Sequence, residues 1–377
     1  MFKKHKKTLL LVGCMIAVSA QIKAKYTFSV FDKVLFFNGY RTLEDIADEI
    51  TSLPEGFYRL STADITTKLT EEQLDLLSGS ITLDVIVSPA CDNFDRLGHI
   101  KLVLVPKGSD SIRPFGTKSI EIARFITPFM DKHRKPDSVP YTFQVNYLQH
   151  IFQDQYLRKN FNFWLELRLF GVPYRAWQQI EGCYGRNCTF YGSISFTTTP
   201  TPNQELETGN VFIPLFTRAG FRNYVEGDTD TLGQTIRSIT LTVPKNLTDA
   251  QLVLITSNHG ANRGGEEYIR RWHFVYLNGE EILRYKPGGL SCEPFRVFNT
   301  QFNRIYHRDP LPLGYWEPWN NWCPGDVIPT RIINLGTMPA GEHRFTISVP
   351  DAEFVDQQGN FPLSLFFQGK TSGTINR

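Results

Sequence analysis

The chain has 377 residues, 41% of them apolar, and a formal net charge of only +2. That is enough apolar material for packed cores and argues against global disorder. The near-balance of acids and bases argues against a general nucleic-acid or anionic-membrane binder.

Aromatics reach 13%, and 22 Pro with 28 Gly supply turn residues, the composition of an all-β chain. The first 20 residues read as a signal peptide: a basic "MFKKHKK", an apolar "TLLLVGCMIAV" and a small-residue cleavage site after Ala20. "LVGC" also resembles a lipobox, which would place a lipid on Cys14. Either reading exports the chain to the periplasm or beyond, and the apolar run is too short to span a bilayer. From there the sequence reads as short alternating strands at 33–37, 81–87, 99–105, 120–126, 141–148, 163–170 and 191–199. One helix interrupts them, starting at a Thr70/Gln73 capping box and stopping at Gly79. Around Pro200 the polar, proline-bearing "TTTPTPNQELETGN" suits a domain boundary, giving domains at 21–200 and 201–377. A second strand series follows at 211–216, 236–243, 251–256, 273–285, 330–336, 343–349 and 362–369, with Asn278-Gly279 as a hairpin turn. The aromatic, proline-bearing stretch 287–329 reads as a long ordered loop, a frequent carrier of function. Two β-sandwiches account for this series.

Six cysteines are present, and export favours disulfides. With Cys14 set aside, the spacing predicts Cys183–Cys188 closing "CYGRNC" and Cys292–Cys323 closing the long loop, with Cys91 left over. No zinc spacing, serine-nucleophile elbow or phosphate loop occurs. What remains is carboxylate chemistry. Asp95 lies in "CDNFDRLGH", Glu267 in "RGGEEYIRRWH", and Glu166 in "FWLELRL", where it faces away from the apolar side of its strand. On local grounds alone, Glu166 and Glu267 read better as solvated surface acids.

The blocks "FDKV", "CDNFDR", "RFITPF", "GGEEYIRRWH" and "NWCPGDVIPTR" together resemble the peptide-N-glycosidase F family, bacterial amidases that remove N-linked glycans from asparagine. The resemblance implies two antiparallel jelly-roll β-sandwich domains packed side by side, with the site at their interface. It implies Asp95 as the principal catalytic carboxylate, with Arg96 keeping it ionised, Glu267 as the interdomain acid and Glu166 as the third, with Glu266 a bystander. Tyr268, Trp322 and Trp319 are the sugar-stacking candidates, and Arg96, Arg271 and His259 complete the substrate-binding set. The departures are also legible: Phe94 and Tyr268 stand where the family has site tryptophans, Arg168 near a third, and Trp319 where it has an arginine. The implied reaction hydrolyses the β-aspartyl-glucosamine amide of N-linked glycoproteins or glycopeptides. It needs neither cofactor nor metal, involves no nucleic acid, and is expected of a monomer. A glycosidase acting in the glycan core and a glycan-binding jelly roll without catalysis are the rival readings.

Overall fold

A computed structural model describes residues 24–371, except 110, 203, 223–229, 231, 262, 302–304, 319 and 355–358. The expected leader with Cys14, and Trp319, therefore lie outside the described residues.

The first half contributes β1 (Tyr26–Phe37), β2 (Phe57–Ser61), β3 (Asp64–Lys68), β4 (Ser80–Pro89), β5 (Leu97–Pro106), β6 (Lys118–Ile126), β7 (Val139–Gln144), β8 (Phe161–Leu169) and β9 (Cys188–Thr199). The second contributes β10 (Asn210–Arg222), β11 (Ile236–Val243), β12 (Leu247–Thr256), β13 (His273–Leu277), β14 (Glu280–Tyr285), β15 (Val327–Ile328), β16 (Arg331–Met338), β17 (Gly341–Ser348) and β18 (Asn360–Thr371). Four sheets result, ordered β1-β9-β4-β7, β15-β6-β5-β8-β3-β2, β10-β18-β12-β16 and β11-β17-β13-β14. All the pairings between these strands are antiparallel, and the architecture is two jelly-roll sandwiches side by side.

Alternation decides which face each sheet buries. In β8, Phe163, Leu165, Leu167 and Leu169 enter the first core with Leu83, Val85, Ile100 and Leu102. The second core gathers Leu252, Leu254, Phe345, Ile347, Leu365 and Phe367. The first sheet pair also packs outward on the second half, because Val253 and Phe366 join the first core. β15, from the long loop of the second half, adds an edge strand to β6 through Val327↔Phe125. The two halves are thus stitched by a ladder as well as by side chains.

The capping box at Thr70 and Gln73 is present, although the helix stops at Leu76, before the left-handed Gly79. The strand expected over 141–148 ends at Gln144, because residues 146–148 turn into a 3₁₀ helix and the Asn146 side chain accepts from the Ile81 N–H. The β2–β3 hairpin was not expected: the buried polar Asp64, Thr66 and Thr67 of β3 mask the period of two.

One disulfide expectation is corrected. Cys91 bridges Cys183, with Cα atoms 5.4 Å apart, and Cys188 is free. The reason is positional. The Ala90, Cys91 and Asp92 N–H groups all donate to the Thr189 carbonyl, so Cys91 is held at the start of β9. Cys183 lies in a turn facing it. Cys188 is fixed as the first residue of β9 opposite Phe37 and only packs beside the bridge. Cys292–Cys323 is present as expected.

Candidate functional site

Two loops bring the acids together. The first runs from the Cys91–Cys183 bridge into β5. Its Asp92 is buried and accepts from Phe94 N–H at 3.1 Å, Val172 N–H at 2.6 Å and Arg96 Nε at 2.8 Å. The Thr127 hydroxyl donates to the Phe94 carbonyl at 2.9 Å and accepts from Arg96 N–H at 2.7 Å. The residues on both sides of Asp95 are therefore fixed, and its carboxylate projects from a braced turn.

The second loop carries Glu267. The Asn321 side-chain amide donates to the carbonyls of Glu266, Glu267 and Ile269 at 3.0, 2.8 and 3.1 Å, two residues before the disulfide at Cys323. Glu266 is buried and takes a forked ion pair from Arg271 and the Glu353 N–H. It is a structural brace. Arg271, expected to bind substrate, is committed to it. Gly260 (φ 146°) explains the close fit here: a Cβ would lie 2.9 Å from the Gly359 Cα, and the Gly260 N–H donates to Glu267 Oε2 at 3.3 Å. Gly264, by contrast, is left-handed (φ 73°) with open space beside it, a turn requirement only.

Asp95 and Glu267 line the same two cavities. One is a slot of about 20 Å³ shared with Tyr268, Trp316, Asn320 and Trp322. The other is a cavity of about 500 Å³ at the seam of the sandwiches, shared with Arg96, Arg168, Arg218 and His259. Burial, then the Glu267 charge, pushes Asp95 well above the ordinary carboxylate range, and Arg96 offsets only part of this. The expectation that Arg96 keeps Asp95 ionised is thus corrected, because its guanidinium is forked onto Asp92 instead. Burial also raises Glu267, against donation from the Gly260 N–H and the Tyr268 hydroxyl. The Glu267 charge acts directly on Asp95, so the two carboxyls titrate as a pair.

Around the pair, Trp322 donates its indole N–H to the Asn258 carbonyl at 2.7 Å and packs on His259 with centroids 5.6 Å apart. Burial, followed by the charges of Arg124 and Arg218, lowers His259 to about 3, so its ring is neutral. Glu166 lies elsewhere. It is buried, paired with Lys101 at 2.9 Å and with Arg113, both from its own sandwich, and lines neither cavity. Arg168, one position along the same strand face, does line the larger one. Sequence reasoning did not single out Tyr40, Arg218, Asn320 or Trp316. Of these only Arg218 stands in a strand; the turn after β1 brings Tyr40, and the long loop 287–329 brings Asn320 and Trp316. Among the described residues no group of three or more His, Cys, Asp or Glu is arranged to hold a metal, and no helix is long and apolar enough to cross a membrane.

Residues 229–368 match the family model described as peptide-N-glycosidase F, C terminal. No curated protein matches the chain. Among solved structures it is similar to PNGF-II, at 18% identity over 94% of this chain and 66% of that one, with a TM-score of 0.64. It is also similar to a peptide-N(4)-(N-acetyl-β-D-glucosaminyl) asparagine amidase, at 16% identity over 94% of this chain and 98% of that one, TM-score 0.58. A third likeness is to PNGase F from Flavobacterium meningosepticum, a glycosylasparaginase, at 16% identity over 93% and 97%, TM-score 0.53. The chain spans just under two thirds of the PNGF-II chain. The chain is peptide-N-glycosidase F-like in its C-terminal family match and in its fold.

Proposed function

We propose that the protein is an amidase that hydrolyses the β-aspartyl-glucosamine bond of N-linked glycoproteins or glycopeptides, converting asparagine to aspartate and releasing the glycan as its glycosylamine. The observation that carries this reading is the placement of Asp95 and Glu267 between two cavities of unequal size. The slot has room for about one water, and the seam cavity suits a sugar-bearing amide.

Amide hydrolysis needs a base to draw a proton from water and an acid to protonate the departing nitrogen. A carboxyl pair that holds one proton supplies both. Asp95, raised by its burial and by the Glu267 charge, is assigned as the proton donor to nitrogen. Ionised Glu267, oriented by Tyr268 and Gly260, takes the proton of water as its oxygen adds to the amide carbonyl. The C–N bond then breaks as Asp95 delivers its proton. Trp322, Tyr268 and His259 are the candidate surfaces for the sugar, and Arg96 fixes the loop that carries Asp95. Glu166 acts through Lys101 and Arg113 on the sheet beneath the cavity.

The test is mass spectrometry of a denatured N-glycopeptide after incubation. A released peptide carrying aspartate supports the amidase. A peptide retaining one GlcNAc assigns a glycosidase, and an untouched glycopeptide across several glycan types assigns a binding protein. Turnover is expected to fall at acid pH, when both carboxyls are protonated, and at alkaline pH, when the shared proton is lost.

A further inference from the structure

The seam cavity has a cationic end that amide hydrolysis does not use. Arg168 and Arg218 line it together with Tyr40, Phe170 and Asn360, while Asp95 and Glu267 line the same cavity. The neighbouring arginines have partners: Arg168 pairs with Asp64, Arg96 with Asp92, and Arg124 with Glu121. The Arg218 guanidinium makes no hydrogen bond or ion pair with any described residue, and its Nε is buried without a partner. The carboxylate that acts on it most strongly, Glu121, has its oxygens occupied by Arg124 at 2.6 and 2.8 Å and by the Ser364 hydroxyl at 2.6 Å.

The backbone places that side chain deliberately. Arg218 is left-handed at φ 54°, inside a register shift of β10 against β18 between Phe216 and Ala219. Its N–H leaves the ladder and donates to Ser364 Oγ at 3.1 Å. Bulges re-aim side chains next to sites, and a left-handed arginine is a costly way to do it. A desolvated, unpaired cation on a strained bulge does not stabilise the fold. Nearby His99 is buried and feels Arg218, Lys101, Arg124 and Arg168 together, so this end of the seam carries surplus positive charge.

We propose that Arg218, with Arg168 beside it, forms an anion-binding subsite that takes a carboxylate or sulfate group carried by the substrate, across the cavity from the amide held at Asp95 and Glu267. The word substrate rests on the amidase reading; the anion site does not. Two sources share this chemistry: an acidic sugar of the glycan, or an acidic residue of the peptide beside the glycosylated asparagine.

Three glycopeptides separate them: neutral throughout, acidic in one sugar, and acidic in the peptide. One acidic form should exceed the neutral one in kcat/KM by about tenfold, the order expected of one charge-assisted contact. That ratio should collapse toward one in Arg218→Gln and persist in part in Arg218→Lys. Equal kcat/KM for all three in the unaltered protein overturns the proposal. Sulfate titration of thermal melting provides a readout without turnover. Sulfate should raise the melting temperature of the unaltered protein and of Arg218→Lys more than that of Arg218→Gln. The same rise in all three overturns the subsite, whereas absent turnover on every glycopeptide with the sulfate difference intact overturns only the amidase reading.

Discussion

Two pairs of ionisable residues occupy the seam between the sandwiches, one fully buried and one half-buried, and they resolve the cost of desolvating charge in opposite ways. Glu121 and Arg124 have no exposed side-chain surface and are fully partnered: Arg124 Nη1 also reaches the Ser257 hydroxyl at 2.9 Å and the Pro362 carbonyl at 2.8 Å, both on the second sandwich. Burial acts to raise the Glu121 carboxyl, but Arg124, its hydrogen bonds, Arg218 and Ser364 hold it below the ordinary range. Asp95 and Glu267 form no ion pair among the described residues, and both are raised. The first pair clamps the interface. The second lines two cavities, with both carboxyls raised. Opposite charges that satisfy each other hold an interface without reactivity, and like charges left half-satisfied are the ones whose titration is shifted.

The largest test of this contrast is Asp95→Asn, which should lower turnover by about 10²–10⁴-fold while making the folded state more stable near neutral pH. The sign follows from linkage. A carboxyl raised in the folded state holds an extra proton there, and the fold loses stability as pH rises from the ordinary carboxylate range through the raised value. Asparagine removes that loss. Urea melts across pH check it, and a variant that is both inactive and less stable at every pH would sink the assignment. At the clamp, Arg124→Met should cost about 3–5 kcal/mol in the same melts, because Glu121 is left buried and unpaired. The double variant Glu121→Met/Arg124→Met should recover most of it. If the double variant is no better than the single, the cost does not come from an unpaired Glu121.

Histidine supplies a smaller contrast. Burial, first among its causes, lowers His259 to about 3 and His273 to about 3, so the folded state binds fewer protons than the unfolded one below the ordinary value of 6.5. Stability is present above that value and is lost as pH falls toward the lowered ones. His273→Gln should flatten the acid limb of the stability curve, and an unchanged slope would refute this. The smallest effect on turnover is expected for Glu166→Gln, less than about tenfold, since its contacts are Lys101 and Arg113 rather than the cavity. A loss as large as that of Asp95→Asn would move Glu166 into the chemistry.

The extent to which the site was legible follows from the range of the interactions that build it. Asp95 and Glu267 were found because each stands in a run that resembles a family, and the geometry brings them to the same cavities. Glu166 was expected as the third acid on the resemblance, whereas alternation shows only that it leaves its own core. Which neighbour covers it depends on Lys101, its partner across the β5–β8 ladder, and on the loop carrying Arg113. Arg218 gives no local signal, since a bulge is a property of two strands in register rather than of one.

The sequence by itself determined the all-β class, the two strand series on either side of Pro200, the Thr70 cap and the Asn278-Gly279 hairpin turn, with φ of 53° and 88°. These rest on period-two alternation and on the conformations of single residues, which act over a few positions. Tertiary structure alone decided that Cys91 meets Cys183 across 92 residues, that Arg96 serves Asp92, and that two acids 172 positions apart in Asp95 and Glu267 share a cavity. Partners of that kind are chosen by which loops the packed sheets bring together. Once they meet, burial sets both their charge and their use.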